Sequence, residues 1–141
     1  MRNVQDTEIL LGRILIAVLF LPSGIEKIMG WPGIVQYIAH DGGPFPLLAG
    51  IVAVICEVVV TALILLGVWV RPLALVLAIY TIGTALIAHR YWEAQGPAAM
   101  LMQKINFYKN VAIAGGLLVL SAAGSGRFAL RPDEENAEQL P

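Results

Sequence analysis

The sequence predicts an all-α integral membrane protein, an antiparallel four-helix transmembrane bundle. Three observations carry that prediction: four long apolar runs, short turn-rich links between them, and a charge content too low for a soluble domain. Of the 141 residues, 58% are hydrophobic and 13% are charged, and the mean hydropathy is +0.77, whereas soluble domains are about 25% charged. A run of ~20 apolar residues at ~1.5 Å rise per residue crosses a hydrocarbon layer of ~30 Å. The runs fall at residues 9–28, 45–68, 72–89 and 105–123, and links this short make neighbouring helices antiparallel. Residues 1–124 form one bundle domain on this reading, followed by a polar acidic tail at 125–141.

The first run follows Asp6 and Glu8 rather than a basic stretch and contains Arg13, Glu26 and Lys27. It is therefore expected to remain as a helix instead of being removed as a signal peptide. Pro22 removes the backbone bond to Val18 and introduces a bend. The link that follows, MGWPG and then HDGGPFP, reads as turns. The second run, extended to residue 70, holds a single charge, Glu57. Val70-Arg71-Pro72 is a tight link into the third run, which has no charge over residues 73–88, and HRYWEAQGP is a polar loop before the fourth. Trp31, Tyr37, Trp69, Tyr91, Trp92 and Tyr108 lie near run ends, where interfacial aromatics belong. Four spans put both termini on one side with Arg2, Arg71, Arg127 and Arg131, against Lys27, Arg90 and Lys104 on the other, a bias toward cytoplasmic termini.

Several function classes drop out on composition. A net charge of −1 gives no basic field for nucleic acid, and the one charge run, Asp133, Glu134, Glu135 and Glu138, reads as a solvated end. Cys56 is the only cysteine, so an intrachain disulfide, a Cys-x-x-Cys redox pair and a thiolate zinc cluster are all impossible. Of the two histidines, His40 is expected in a loop and His89 at a helix end, with no helical Glu-x-x-His set, so no metal is expected. No internal repeat argues for an inverted-repeat transporter.

What remains is polar chemistry inside the spans. Glu57 has more than ten apolar residues on either side and must be neutral, paired or beside water, because an ionised carboxylate at that depth costs at least a few kcal/mol. Its expected partners are Arg13 and Lys109, and Thr61, one turn on, is placed to donate to it. Arg13, Gly24 and Lys27 fall in one narrow stripe of the first helix, where the two cations either snorkel to opposite interfaces or turn inward. Asn106, Lys109 and Asn110 make a polar face on the fourth helix, and Gly115 and Gly116 beyond it read as packing devices. His89 is either a solvated helix end or part of the same group. Lys27, His89, Asn106 and Lys109 then open from one side toward Glu57, with Arg13 coming from the other. An apolar pocket with an excess of donors suits a lipophilic molecule carrying carbonyl or phenolate oxygens.

Four segments in order, GRILIAVLFLPSGIEKIMG, the Cys56-Glu57 pair with ALILLGVWVRPLAL beyond it, AHRYW and FYKNVAIAGGLL, resemble the DoxX family of small four-helix bacterial inner-membrane proteins over residues 11–121. The family's typical polar positions fall on Arg13, Gly24, Lys27, Glu57, Gly67, His89, Lys109, Asn110, Gly115 and Gly116. Val58-Val59-Val60 departs from the glycine often found after the glutamate. The resemblance implies residence in the bacterial inner membrane and an association with quinone-linked redox systems, including terminal quinol oxidase and thiosulfate:quinone oxidoreductase subunits, and with oxidative or thiol stress. On that basis Arg13, Lys27, Glu57, His89, Asn106, Lys109 and Asn110 are candidate ligand contacts for a quinone. The chain would serve as a non-catalytic subunit beside a membrane or soluble oxidoreductase partner, in contact with the lipid bilayer. Two other readings stand beside it: a small transporter or proton path using Glu57, and a structural anchor for a soluble oxidoreductase.

Overall fold

The computed structural model describes residues 2–132, so the acidic run Asp133, Glu134, Glu135 and Glu138 lies outside the described residues. Among these every regular element is helical: α1 (Arg2–Met29), α2 (Gly33–His40), α3 (Pro46–Val54), a π-helical segment (Ile55–Val60), α4 (Thr61–Leu66), α5 (Val70–Ala88) and α6 (Pro97–Ala123). Four stretches are long and apolar enough to cross a membrane: Val4–Met29, Pro46–Leu66, Val70–Ala88 and Pro97–Ala123. The second is continuous through α3, the π segment and α4. The fourth begins at Pro97 rather than residue 105, because Pro97 occupies a first-turn position behind Gly96 and the intervening Ala, Met, Leu and Gln are strong helix formers. Lys104 lowers hydropathy there without breaking the helix. The turn-rich link holds the short helix α2, whose apolar Ile34 and Ile38 are one turn apart, and His40 ends that helix instead of lying in a loop.

Helix ends are set by turn chemistry. Gly67 takes a left-handed conformation (φ 77°, ψ 33°), and its N–H bonds the Ile64 carbonyl at 3.0 Å while Val68 N–H reaches Leu63 at 2.9 Å. This double closure satisfies carbonyls at the end of α4 and turns the chain into α5. Ser121 Oγ donates to the Arg71 carbonyl at 2.8 Å and Arg71 Nη1 to the Ala122 carbonyl at 2.6 Å, tying the start of α5 to the end of α6. Residues 125–131, read from sequence as the start of the polar tail, fold back over this end. Leu130 N–H bonds the Leu66 carbonyl at 2.9 Å, Arg127 N–H bonds Asp6 Oδ1 at 2.9 Å, and the Arg131 guanidinium lies 5.5 Å over the Trp69 ring.

α1 packs along the second span and α5 along α6, while α1 and α6 barely touch. Ile64, Val70, Ala74, Leu77 and Leu117 are fully buried and, with Phe20, Val60 and Leu120, fill the half of the bundle nearest the termini. Leu15, Val18, Ile79 and Val119, each about two-thirds exposed, present the hydrocarbon face that lipid covers. In lipid, association of helices rests on close packing and interhelical polar contacts instead of a hydrophobic drive, which makes the polar contacts of the other half informative.

Candidate functional site

Glu57 lies within the π segment, 5% exposed, and both of its carboxylate oxygens are engaged. Lys27 Nζ donates to Oε2 at 2.8 Å and the Tyr80 hydroxyl donates to Oε1 at 2.5 Å. Lys27 also donates to Ser23 Oγ at 2.7 Å, one turn back on α1, so its ammonium is held over the preceding turn instead of reaching outward. Three helices thus converge on one carboxylate. Gly24 makes the convergence possible: a Cβ built there would meet Val58 Cγ2 at 2.6 Å and Glu57 Cβ at 2.9 Å. The close approach expected of a glycine after the glutamate is supplied from α1, opposite Val58. π turns concentrate at functional sites, and here the altered spacing sends the Thr61 hydroxyl to the Cys56 carbonyl at 3.0 Å instead of to Glu57.

The expected partners of Glu57 are therefore corrected. Arg13 is 1% exposed but sits at the opposite end of the core, against Gly67, where its Nη2 donates to the Phe128 carbonyl. Among the described residues its Nε and Nη1 have no hydrogen-bond partner. The family position at Gly67 is accounted for by this contact, since any Cβ there would collide with the guanidinium. Lys109 does not pair with Glu57 either. It is exposed and donates to Asn106 Oδ1 at 3.0 Å.

Above the carboxylate lies a cavity of about 460 Å³ walled by α1, α2, α3, the π segment, α5 and α6. Lys27, Glu57, His89, Lys109 and Asn110 line it; Arg13 and Asn106 do not. The floor is Glu57 with Tyr80, and the rim is His89, about 13 Å above Tyr80 by helical rise. His89 Nδ1 donates to Gln103 Oε1 at 2.9 Å, because an amide oxygen can only accept, and this leaves Nε2 free of that bond. Asn110 Nδ2 donates to Thr84 Oγ1 at 3.2 Å, joining α6 to α5 along the wall. α2 lies across the mouth: Ile34, Tyr37 and Ile38 face the cavity, and the Tyr37 hydroxyl reaches the Ala88 carbonyl at 3.3 Å. Burial, then the neighbouring Asp41 carboxylate, pushes the Tyr37 hydroxyl above its ordinary pKa, so it remains a neutral donor. Arg90 binds the Asp41 carbonyl and pairs with Glu93 at 3.0 Å, fastening the two loops on this side to each other.

Tyr80, Ser23 and Thr84 belong to this site and were absent from the sequence reading. A signal for Tyr80 existed: against the sequence runs at 72–89 and 105–123 it is the one tyrosine far from a run end, so an interfacial role does not explain it. Ser23, one turn before Lys27, was the corresponding signal that the lysine turns back along its helix.

The DoxX family profile matches residues 8–90. Inner membrane protein YphA of Escherichia coli (strain K12) is 46% identical over 122 residues, 86% of this chain and 86% of the relative. Inner membrane protein YqjF of the same organism is 32% identical over 130 residues, 92% of this chain and 94% of the relative. No solved structure gives a significant match.

Proposed function

The chain belongs to the DoxX family, and from that premise we propose that it is an inner-membrane binding subunit of a quinone-linked redox or oxidative/thiol-stress defence system, holding a quinone-like lipophilic molecule in its intramembrane cavity. The observation that carries this reading is the Lys27–Glu57–Tyr80 group on the floor of a cavity of about 460 Å³. A buried ion pair is weak support for stability, since its desolvation offsets much of its Coulomb attraction. Its position beside a cavity gives it a role that helix pairing alone does not.

The chemistry of the lining fits a quinone. Such a ligand offers two carbonyl oxygens and a redox-active ring, and needs donors. Lys27 has one N–H beyond those given to Glu57 and Ser23, Lys109 has two beyond that given to Asn106, and Asn110 keeps a second amide proton. Glu57, with both oxygens occupied, orients Lys27 and Tyr80 instead of meeting an acceptor-rich ligand directly. Arg13 and Asn106 drop out as direct contacts on this reading, Arg13 because it serves the far end and Asn106 because it acts on Lys109.

The proton-path alternative gains less support. Between Glu57 and the Arg13 end the core is filled by Val60, Ile64, Leu77 and Leu117, and the hydroxyls of Thr61 and Thr81 bond carbonyls of their own helices. The polar groups near Glu57 lead to one side only, as a binding pocket requires and a conduit does not.

Mass spectrometry of quinone co-extracted with the purified protein tests the proposal. Lys109→Ala and His89→Ala should each lower retained quinone by about tenfold, ~1.4 kcal/mol, while inserting as the parent does. Equal retention by both variants, or none by the parent, would favour the anchor reading.

A further inference from the structure

The cavity's cations outnumber its anions. Lys27 and Lys109 line it against the single carboxylate of Glu57, and His89, Tyr37 and Tyr80 complete its titratable groups. Glu57 is already satisfied by Lys27 and Tyr80, so Lys109 is the surplus charge. Among the described residues it has no carboxylate partner, only the amide oxygen of Asn106. Its backbone lies below the rim: Gln103, six residues earlier on α6, is level with His89, which puts the Lys109 backbone about 9 Å below that level. Its side chain is exposed and leans toward the mouth, so the ammonium, bonded only to a neutral amide oxygen, meets the head group of a molecule entering there, and an anion engages it more strongly than a neutral carbonyl does.

The walls add a second constraint. α1 and α6 carry Lys27 and Lys109 into the same cavity yet scarcely touch each other, and Leu19 of α1 and Ile113 of α6 line it on either side of this seam. Leu19 is 44% exposed on the lipid-facing surface. A hydrocarbon chain can leave the cavity there directly into the bilayer.

We propose that the cavity's preferred occupant is a single-chain amphiphile bearing one negative charge on oxygen, a lipophilic phenolate or carboxylate, with its oxyanion held by Lys109 and its chain lying in the α1–α6 seam. The proposal rests on reading the cavity as a ligand site and narrows the ligand from neutral to anionic.

A matched pair of probes separates charge from hydrophobicity. The full-length protein in a neutral maltoside detergent is presented with dodecanoate, dodecanol and decylubiquinone, and retention is read by native mass spectrometry. The parent should retain dodecanoate at least tenfold over dodecanol, Lys109→Arg should keep that preference, and Lys109→Gln should reduce it below about threefold while its helical circular dichroism and melting stay those of the parent. Retention of dodecanol equal to dodecanoate overturns the inference. Decylubiquinone held in preference to dodecanoate overturns it too, while leaving the quinone reading intact, and failure to retain any of the three defeats both. Phosphatidylglycerol displacing dodecanoate in a Lys109-dependent way would assign the lysine to a lipid head group instead and equally refute the single-chain ligand.

Discussion

Removing Lys27 strands the carboxylate it neutralises, and the cost can be estimated from the structure. In Lys27→Met the Glu57 side chain, 7% exposed, keeps only the Tyr80 hydroxyl. Losing one member of a fully buried pair typically costs 3–5 kcal/mol. The Lys27 side chain is 23% exposed and a cavity adjoins the pair, so the lower end applies, about 3 kcal/mol or roughly 150-fold in the folding equilibrium. Glu57→Gln keeps an acceptor for Tyr80 but turns an amide toward the ammonium, costing about 2 kcal/mol. The double variant removes both charges and should lose only about 1–2 kcal/mol, so the two changes couple by roughly 3–4 kcal/mol. Reversible unfolding in mixed detergent micelles, followed by circular dichroism, measures all four corners of the cycle. Single effects that add to within ~0.5 kcal/mol, or a Lys27→Met variant as stable as the parent, would show that the pair is not the interaction described.

Gly24→Ala should destabilise by about 1–3 kcal/mol through overpacking, and Val58→Ala in the same chain should recover part of it, because Val58 Cγ2 is the nearest atom to the new Cβ at 2.6 Å; no recovery in the same unfolding assay would mean that the Glu57 backbone is the obstacle. Truncation after Gly124 removes the acceptor of buried Arg13 and the N–H that caps Leu66, and should lower stability by about 2–4 kcal/mol. Arg13→Met should restore some of that loss, and a truncated protein as stable as the parent would refute a structural role for residues 125–131. The arginine bias favours cytoplasmic termini, so a C-terminal fluorescent-protein fusion should glow and a phosphatase fusion should be inactive; the reverse pattern would turn the cavity mouth toward the cytoplasm.

The four spans were legible because twenty apolar residues without a partner charge have few other stable solutions, and hydropathy reports that directly. Their ends were less legible. Lys104 and Gln103 interrupt the apolar run of α6 but not its backbone hydrogen bonds, and the eight residues of α2 are too few to register as a span among glycines and prolines. The π segment left no signal in Ile55–Val60, a β-branched run that reads as ordinary helix in lipid. The fold-back of residues 125–131 was hidden for a related reason: its contacts are backbone bonds, one bond to Asp6 and the guanidinium contacts of Arg13 and Arg131, whose pairing composition does not encode.

The site residues were partly legible and their pairing was not, because depth from a span end is a poor guide to reach. The Arg13 guanidinium touches Gly67, so the two residues lie within one side-chain length of each other in level on antiparallel helices. From there α1 rises about 21 Å over fourteen residues to Lys27, and the second span about 15 Å over ten residues to Glu57. The remaining ~6 Å, with the arginine's own lean added, is shared between the lysine and the glutamate side chains. Direction closes the gap, since side chains lean toward the N-terminus of their own helix. Lys27 therefore leans back toward the terminal side while Glu57, on the opposed helix, leans up to meet it. Arg13 leans the same way as Lys27, which carries it away from Glu57 and onto the Phe128 carbonyl. α6 starts on the loop side, so Lys109 leans toward the mouth and Asn106 instead of the floor. Helix polarity alone thus sends one lysine to the carboxylate and leaves the other facing the entrance.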